Sequence, residues 1–233
     1  MPQIMQPESR QRCLALFHSD FVQAVGSVST DMKDIDCDYA SFSAHKFHGP
    51  KGVGVLYCKD PKSIMPLIAG SESQECGVRG GTENVAGIIG LGEAARLVYE
   101  GGSDLERLTL IKRRFYERIM HNLKENNLDS IVHYNGLPPE SKGKILSLTF
   151  DGVDAQTLVL AMSANGVYIS AGSACNAHST VGSEVLKAIG LTDEQAHSTV
   201  RISLSKYNTE EETLKAADIM TDTIKGLLSL FGR

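Results

Sequence analysis

Ser41-Phe42-Ser43-Ala44-His45-Lys46, followed by the glycine-rich turn His48-Gly49-Pro50-Lys51-Gly52-Val53-Gly54, is the stretch on which the chain turns. The run leading into it, Asp38-Tyr39-Ala40-Ser41-Phe42, and the run leaving it, Gly52-Val53-Gly54-Val55-Leu56-Tyr57, both read as strands. Lys46 therefore sits just past a strand end, where the backbone turns and side chains face a cleft. An amine placed there serves either as a nucleophile that forms a Schiff base or as a solvated loop lysine. The stretch alone leaves both open.

Working outward, Cys13–Phe17 reads as a short apolar strand that ends at His18-Ser19-Asp20 and passes into Phe21-Val22-Gln23. Asp20 precedes Lys46 by about one strand–connection–strand unit, so Asp20, Gln23 and Lys46 can converge at one edge of a sheet, where α/β proteins bind ligands. A carboxylate, a carboxamide and an amine converging on a planar heterocycle is the set that pyridoxal phosphate requires. The acid keeps the ring nitrogen protonated, so that the ring accepts electrons. The plain alternative makes Asp20 and Gln23 turn residues with no shared target.

The chain has 233 residues, of which 42% are hydrophobic, enough for one large or two small cores. A net charge of −5, with no basic run interleaved with aromatics, argues against a nucleic-acid partner. No apolar stretch is long enough to span a bilayer, and the polar start, Met1 to Arg12, suggests no secretory signal. Cysteines at 13, 37, 58, 76 and 175 fit neither a disulfide framework nor a zinc site, so a reducing cytoplasm is expected. Cys13, Cys37 and Cys58 read as small core residues.

Strands alternate with helices in two parts. Ser71–Gly81 reads as a loop, and Thr82 is expected to cap a helix reaching Glu100, on which Val85, Ile88, Ile89, Leu91 and Ala95 recur at helical spacing. The boundary falls at Gly101-Gly102-Ser103-Asp104, giving a first part, 1–102, and a second, 103–233. In the second, Leu105, Leu108, Ile111, Phe115, Ile119 and Leu123 share one face of a helix. Strands are expected near Ser130–Tyr134, Lys144–Phe150, Val167–Ser170 and Thr199–Ser205. Between them lie a helix capped by Asp154 and another over Ser183–Ile189. The last helix is capped near Asn208-Thr209, with Glu210, Glu211 and Glu212 in its first turn.

Two further residues stand out. Arg201 alternates with Val200, Ile202 and Leu204, so it points away from an apolar face, and its planar fork suits a carboxylate as well as a surface ion pair. Cys175 lies in Ala171-Gly172-Ser173-Ala174-Cys175-Asn176, a small and polar run that argues against burial. It is a candidate nucleophile, reacting as the thiolate. Cys175 with His178 as half a metal site is a weaker reading, since one pair lacks matched ligands.

His18-Ser19-Asp20-Phe21-Val22-Gln23, Ser43-Ala44-His45-Lys46 with Gly49-Pro50-Lys51-Gly52, Arg79-Gly80-Gly81-Thr82-Glu83-Asn84, Ser170-Ala171-Gly172-Ser173-Ala174-Cys175 and Arg201-Ile202-Ser203-Leu204 together resemble cysteine desulfurases. These are class V aminotransferase-like, fold type I pyridoxal phosphate enzymes that supply sulfur for iron–sulfur clusters. The resemblance implies an α/β fold: part of a fold type I pyridoxal-phosphate large domain (1–102), followed by a small α+β domain (103–233). It implies conversion of L-cysteine to L-alanine with the sulfur kept as a persulfide on Cys175. Lys46 would hold the cofactor and move the substrate's α-proton. Asp20 would pair with the ring nitrogen, Gln23 with the ring oxygen, and Ser43 and His45 with the phosphate. Thr82 would reach the phosphate of a neighbouring subunit in a homodimer, and Arg201 would bind the L-cysteine carboxylate. A sulfur-acceptor or iron–sulfur scaffold protein would be the partner, with no membrane involved.

The resemblance begins in the middle of the family's large domain. Phe21 stands where the family usually has alanine, Cys76 often corresponds to arginine, and Ser205-Lys206-Tyr207 varies a glycine–arginine–phenylalanine run. Two alternatives follow: a non-catalytic desulfurase homologue that acts as a binding module, or another class V pyridoxal enzyme such as a selenocysteine lyase.

Overall fold

A parallel pair of short strands carries the first unit. In the computed structural model, which describes residues 15–100, 104–172 and 183–230, β1 (His18–Asp20) pairs in parallel with β2 (Tyr39–Ser43), with Asp20 opposite Ser41. β3 (Gly54–Cys58) pairs antiparallel to β2, giving the order β1-β2-β3. Among the described residues the first strand is thus His18–Asp20: residues 15–17 of the expected Cys13–Phe17 strand are not strand, and residues 13 and 14 lie outside the described residues. Phe17 instead anchors the strand's entry: its amide donates to Asp38 Oδ2 (2.8 Å), and its carbonyl accepts from the Asp38 and Tyr39 amides (2.9 and 3.1 Å).

Helix α1 (Met32–Ile35), which the sequence pattern did not suggest, is capped by Asp31, whose side chain accepts from the Lys33 amide. It packs into a small core of Phe21, Cys37 and Ala40 with Phe17, Phe42 and Tyr57. Helix α2 (Val85–Glu100) packs through Ala94, with Leu91, Ala95 and Val98, onto Val25, Ala44 and Phe47. Its cap is Asn84 rather than Thr82: the Gly87 amide donates to Asn84 Oδ1 (3.1 Å), and the Ile88 amide to Asn84 O (2.9 Å). Val85 and Ile89 on α2 are exposed, as are Met65 and Leu67 before it.

The second unit is built on a sheet of order β4-β5-β7-β6, antiparallel throughout, from β4 (Val132–Tyr134), β5 (Ile145–Phe150), β6 (Ser170–Ala171) and β7 (Thr199–Ser203). The chain divides into its two units at Ser103 and Asp104. Helices α3 (Leu105–Glu125), α4 (Ala155–Ala164) and α7 (Glu210–Leu230) cover one face. The six apolar residues expected on α3 are all buried, with Ile119 and Leu123 at 0% exposure. Phe115, Ile119 and Leu123 meet Leu146, Leu148, Phe150, Val200, Met220 and Ile224 in the main core, while Leu108 and Ile111 form a smaller cluster with Leu204. All four strands shift from their expected bounds: β4 starts at Val132 rather than Ser130, β5 at Ile145 rather than Lys144, Ser170–Ala171 replaces Val167–Ser170, and β7 stops at Ser203 rather than Ser205.

Asp154 caps α4 by accepting from the Thr157 amide (2.8 Å), and Thr209 with Glu212 closes the start of α7 reciprocally. Helix α5 (Glu184–Ala188) follows Ser183. Helix α6 (Asp193–His197) was not expected, although Thr192 and Gln195 form a capping box there. Among the described residues, no helix is long and apolar enough to cross a membrane.

Candidate active site

The turn that carries Lys46 is a single-turn 3-10 helix, Ala44–Phe47. Side chains three apart eclipse in such a helix, so Ala44 and Phe47 both go inward, at 0% and 5% exposure. His45 and Lys46 are thereby left outward and exposed. Phe47 and Ala44 pack on Val25 and Ala94, which fixes the turn against α2. His48 ends it in the left-handed region (φ 71), and the Gly49 amide donates to Ala44 O (2.9 Å). A Cβ on Gly49 would lie 2.8 Å from Ala44 Cβ, so only glycine allows this closure.

Ser43, the last residue of β2, places its Oγ 2.8 Å from His45 Nδ1. The hydroxyl and the imidazole thus form one polar step on the outward side of the turn. Across the parallel ladder, β1 ends at Asp20. The Asp20 carboxylate is exposed and accepts the Val22 amide (2.8 Å), an Asx turn that starts the segment carrying exposed Gln23. Asp20 and Gln23 thus leave the carboxyl end of β1, and Ser43, His45 and Lys46 leave that of β2. Ligands bind beyond the carboxyl ends of parallel strands in α/β sheets.

Phe21 is turned away from this edge. Its ring is 8% exposed and stacks on Phe42 with centroids 5.8 Å apart. The bulky residue beside Asp20 is therefore core, and it buttresses the strand pair rather than crowding the edge.

Thr82 follows a tight crossing in which a Cβ on Gly80 would lie 2.4 Å from Ala69 O. The Gln74 side chain holds this loop shut, accepting from the Gly81 amide (3.1 Å) and the Ser71 amide (3.4 Å). Sequence reasoning missed that role for Gln74, because a lone glutamine in a polar loop carries no local signature. Among the described residues, no hydrogen bond or ion pair joins Thr82 to Ser43, His45 or Lys46.

In the second unit, Val200, Ile202 and Leu204 are buried and Arg201 is exposed, the alternation that the sequence implied. Arg201 stands opposite Ser147 on β5 and Ser170 on β6. Its guanidinium makes no hydrogen bond or ion pair among the described residues. Cys175 and His178 lie outside the described residues. The segment leading to Cys175 leaves the sheet beside Arg201: the Gly172 amide donates to Thr199 O (2.8 Å), and Leu186 of α5 packs where a Gly172 Cβ would stand. Among the described residues, no cluster of three His, Cys, Asp or Glu side chains could hold a metal ion.

A lysine, an acid and a hydroxyl–imidazole pair thus stand together past the carboxyl ends of the β1–β2 pair. The chain belongs to the aminotransferase class-V family, which it matches over residues 4–215. It is 40% identical over 210 residues to a protein of Clostridium botulinum named cysteine desulfurase IscS, an alignment covering 90% of this chain and 52% of the relative. A cysteine desulfurase of Sinorhizobium fredii is 38% identical over 226 residues, covering 97% and 57%. Among solved structures, one described as a NifS-like protein superimposes with a TM-score of 0.74 at 34% identity, covering 95% of this chain and 55% of that one. The chain thus spans about half the length of the relatives it matches. Its mixed α/β fold is that of the corresponding part of these fold type I proteins.

Proposed function

We propose that this chain carries the lysine and cysteine portion of a cysteine desulfurase, taking L-cysteine to L-alanine and the sulfur to Cys175. The observation that carries this reading is the outward face of the 3-10 turn. Lys46 and His45 project from a turn whose other face is locked into the core, beside Ser43 and across from the Asp20 strand end. Residues 1–102 then serve as part of the cofactor domain, and 103–233 as the small domain.

The donor set suits pyridoxal phosphate. Lys46 would hold it, the Asp20 carboxylate would pair with the ring nitrogen, and Gln23 would face the ring oxygen. Ser43 and His45 would bind the phosphate, joined by Thr82 from a neighbouring copy in a homodimer. When bound, the cofactor supplies an electron sink at the substrate's α-carbon.

The chain's own residues do the rest. Lys46, once free, moves the α-proton as a general base and acid. Arg201 orients the substrate through its carboxylate, with a planar fork that matches two oxygens. The Cys175 thiolate attacks the substrate sulfur, forming an S–S bond as the carbon–sulfur bond breaks. L-cysteine and a thiol thereby become L-alanine and a persulfide, with atoms balanced. The persulfide then passes to a sulfur-acceptor or iron–sulfur scaffold protein, in the cytoplasm.

The test is a visible absorption spectrum of the purified chain with pyridoxal phosphate, beside Lys46→Ala, followed by a sulfide-release assay with Cys175→Ala. A cofactor band lost in Lys46→Ala, with cysteine-dependent sulfide lost in Cys175→Ala, is the expected result. A spectrum no different from free cofactor overturns catalysis by this chain on its own and leaves a binding module. Turnover of selenocysteine but not of cysteine would make it a lyase.

A further inference from the structure

One row of polar residues crosses the whole second sheet in register. Ser147 of β5 lies opposite Arg201 of β7, and Arg201 lies opposite Ser170 of β6. Just past β4, the Asn135 amide donates to Ser147 O (2.9 Å) and continues the same ladder. The row thus reads Asn135, Ser147, Arg201, Ser170, on the face turned away from the main core. Residues directly opposite on neighbouring strands have Cβ atoms about 5 Å apart. Arg201 is therefore flanked by a hydroxyl on each side.

The Ser147 hydroxyl is oriented. Asn135 Nδ2 donates to Ser147 Oγ (3.3 Å) and to Thr149 Oγ1 (2.9 Å). Thr149 is itself held, by Thr199 Oγ1 (2.7 Å), which in turn donates to Gln195 O (2.7 Å). The carboxamide is thus pinned by a buried pair of threonines. A serine hydroxyl has one proton to give and two lone pairs. Since Ser147 Oγ accepts from Asn135, its own proton is left for a second acceptor, and no described residue takes it.

We propose that Ser147 is a second donor to the substrate carboxylate, beside Arg201, with Asn135 as the residue that positions its hydroxyl. This rests on the reading of Arg201 as the carboxylate-binding residue. The guanidinium supplies charge and two parallel donors, and the Ser147 hydroxyl adds a neutral donor on the β5 side. A hydrogen bond to an ionised carboxylate is stronger than one between neutral partners. Selection at this row would therefore favour substrates that carry an α-carboxylate over their decarboxylated amines.

The experiment is a titration of the full, isotopically labelled chain with L-alanine, followed by the amide resonances of residues 145–149 and 199–203, with ethylamine as the probe lacking a carboxylate. Ser147→Ala is expected to weaken L-alanine about tenfold, whereas Ser147→Thr, which keeps the hydroxyl, stays within about threefold of wild type. Asn135→Ala falls between them, with Ser147 present but free to turn. If Arg201→Gln abolishes binding while Ser147→Ala binds as wild type, the Ser147 proposal is overturned and the Arg201 reading stands. If Arg201→Gln also binds as wild type, or if wild type shows no saturable shift, both fall.

Discussion

The Ser43 hydroxyl lies 2.8 Å from His45 Nδ1, and both stand on the side of the 3-10 turn opposite its buried Ala44 and Phe47. Either partner alone leaves the other without its orienting contact. Ser43→Ala and His45→Ala are each expected to weaken pyridoxal phosphate binding about tenfold, and the double variant by little more than either single one. The cofactor titration, read by absorbance, measures this. Fully additive losses would mean that the two residues act independently.

Phe21 and Phe42 stack at 5.8 Å, and Phe21 is buried in the cluster under the β1–β2 pair. Phe21→Ala removes that ring and leaves a cavity beneath the strand ends that carry Asp20 and Lys46. A loss of about 3 kcal/mol is expected. Urea denaturation of the full chain, with amide exchange of Tyr39–Ser43 as the local readout, tests it. A loss below about 1 kcal/mol would show that the site closes over the missing ring.

Strand β2, the Lys46 turn, the face of α3 and the outward Arg201 were legible because each rests on a local period or a local turn. The period-two alternation at Val200–Leu204 and the helical stripe from Leu105 to Leu123 are decided by neighbours within a few residues. What escaped was decided at a distance. β1 begins at His18 because Phe17 is tied to Asp38 and Tyr39, residues far along the chain. The cap of α2 moved from Thr82 to Asn84 because the Gly80–Gly81 crossing occupies the preceding residues. Helix α6 was missed although Thr192 and Gln195 spell a capping box, since five residues give no period to read. Phe21 read only as a departure from the family's usual alanine, and the tertiary stack on Phe42 shows it as support.

Asp218 links α7 to α3. Arg118 Nε and Nη2 donate to its two oxygens (2.7 and 3.1 Å), and Asn122 Nδ2 to one of them (2.7 Å). Arg118 and Asp218 side chains are 46% and 42% exposed, so the pair contributes little, and Asp218→Asn should cost about 0.5 kcal/mol at neutral pH. The Arg118 hydrogen bonds, ahead of the opposing effect of burial, hold the Asp218 carboxyl below its ordinary value. Its contribution is therefore present above the unfolded carboxylate value of about 3.9 and is lost as pH falls through the lower folded value. Urea midpoints of wild type and Asp218→Asn should differ by a constant amount above about pH 5 and converge in strong acid. Curves that stay parallel into acid would remove the linkage.

Lys112 is 2% exposed on the core side of α3, and its Nζ donates to Ser141 O (2.7 Å), fastening the loop before β5. Burial lowers its pKa, against a smaller opposing pull from Glu140. The unfolded chain therefore holds this proton to higher pH than the folded chain does. As pH rises from the folded value toward the ordinary lysine value of about 10.4, the cost of burying the charge is relieved and wild type gains stability. Lys112→Met carries no such proton, keeps the methylene packing, and leaves Ser141 O without its partner. The stability of wild type relative to Lys112→Met is thus expected to increase as pH rises from the lowered folded value toward about 10.4, since every other titrating group cancels in the difference. Paired urea denaturations across that range measure it. A difference that is flat, or that falls with pH, would mean that Lys112 keeps its charge solvated in the folded chain.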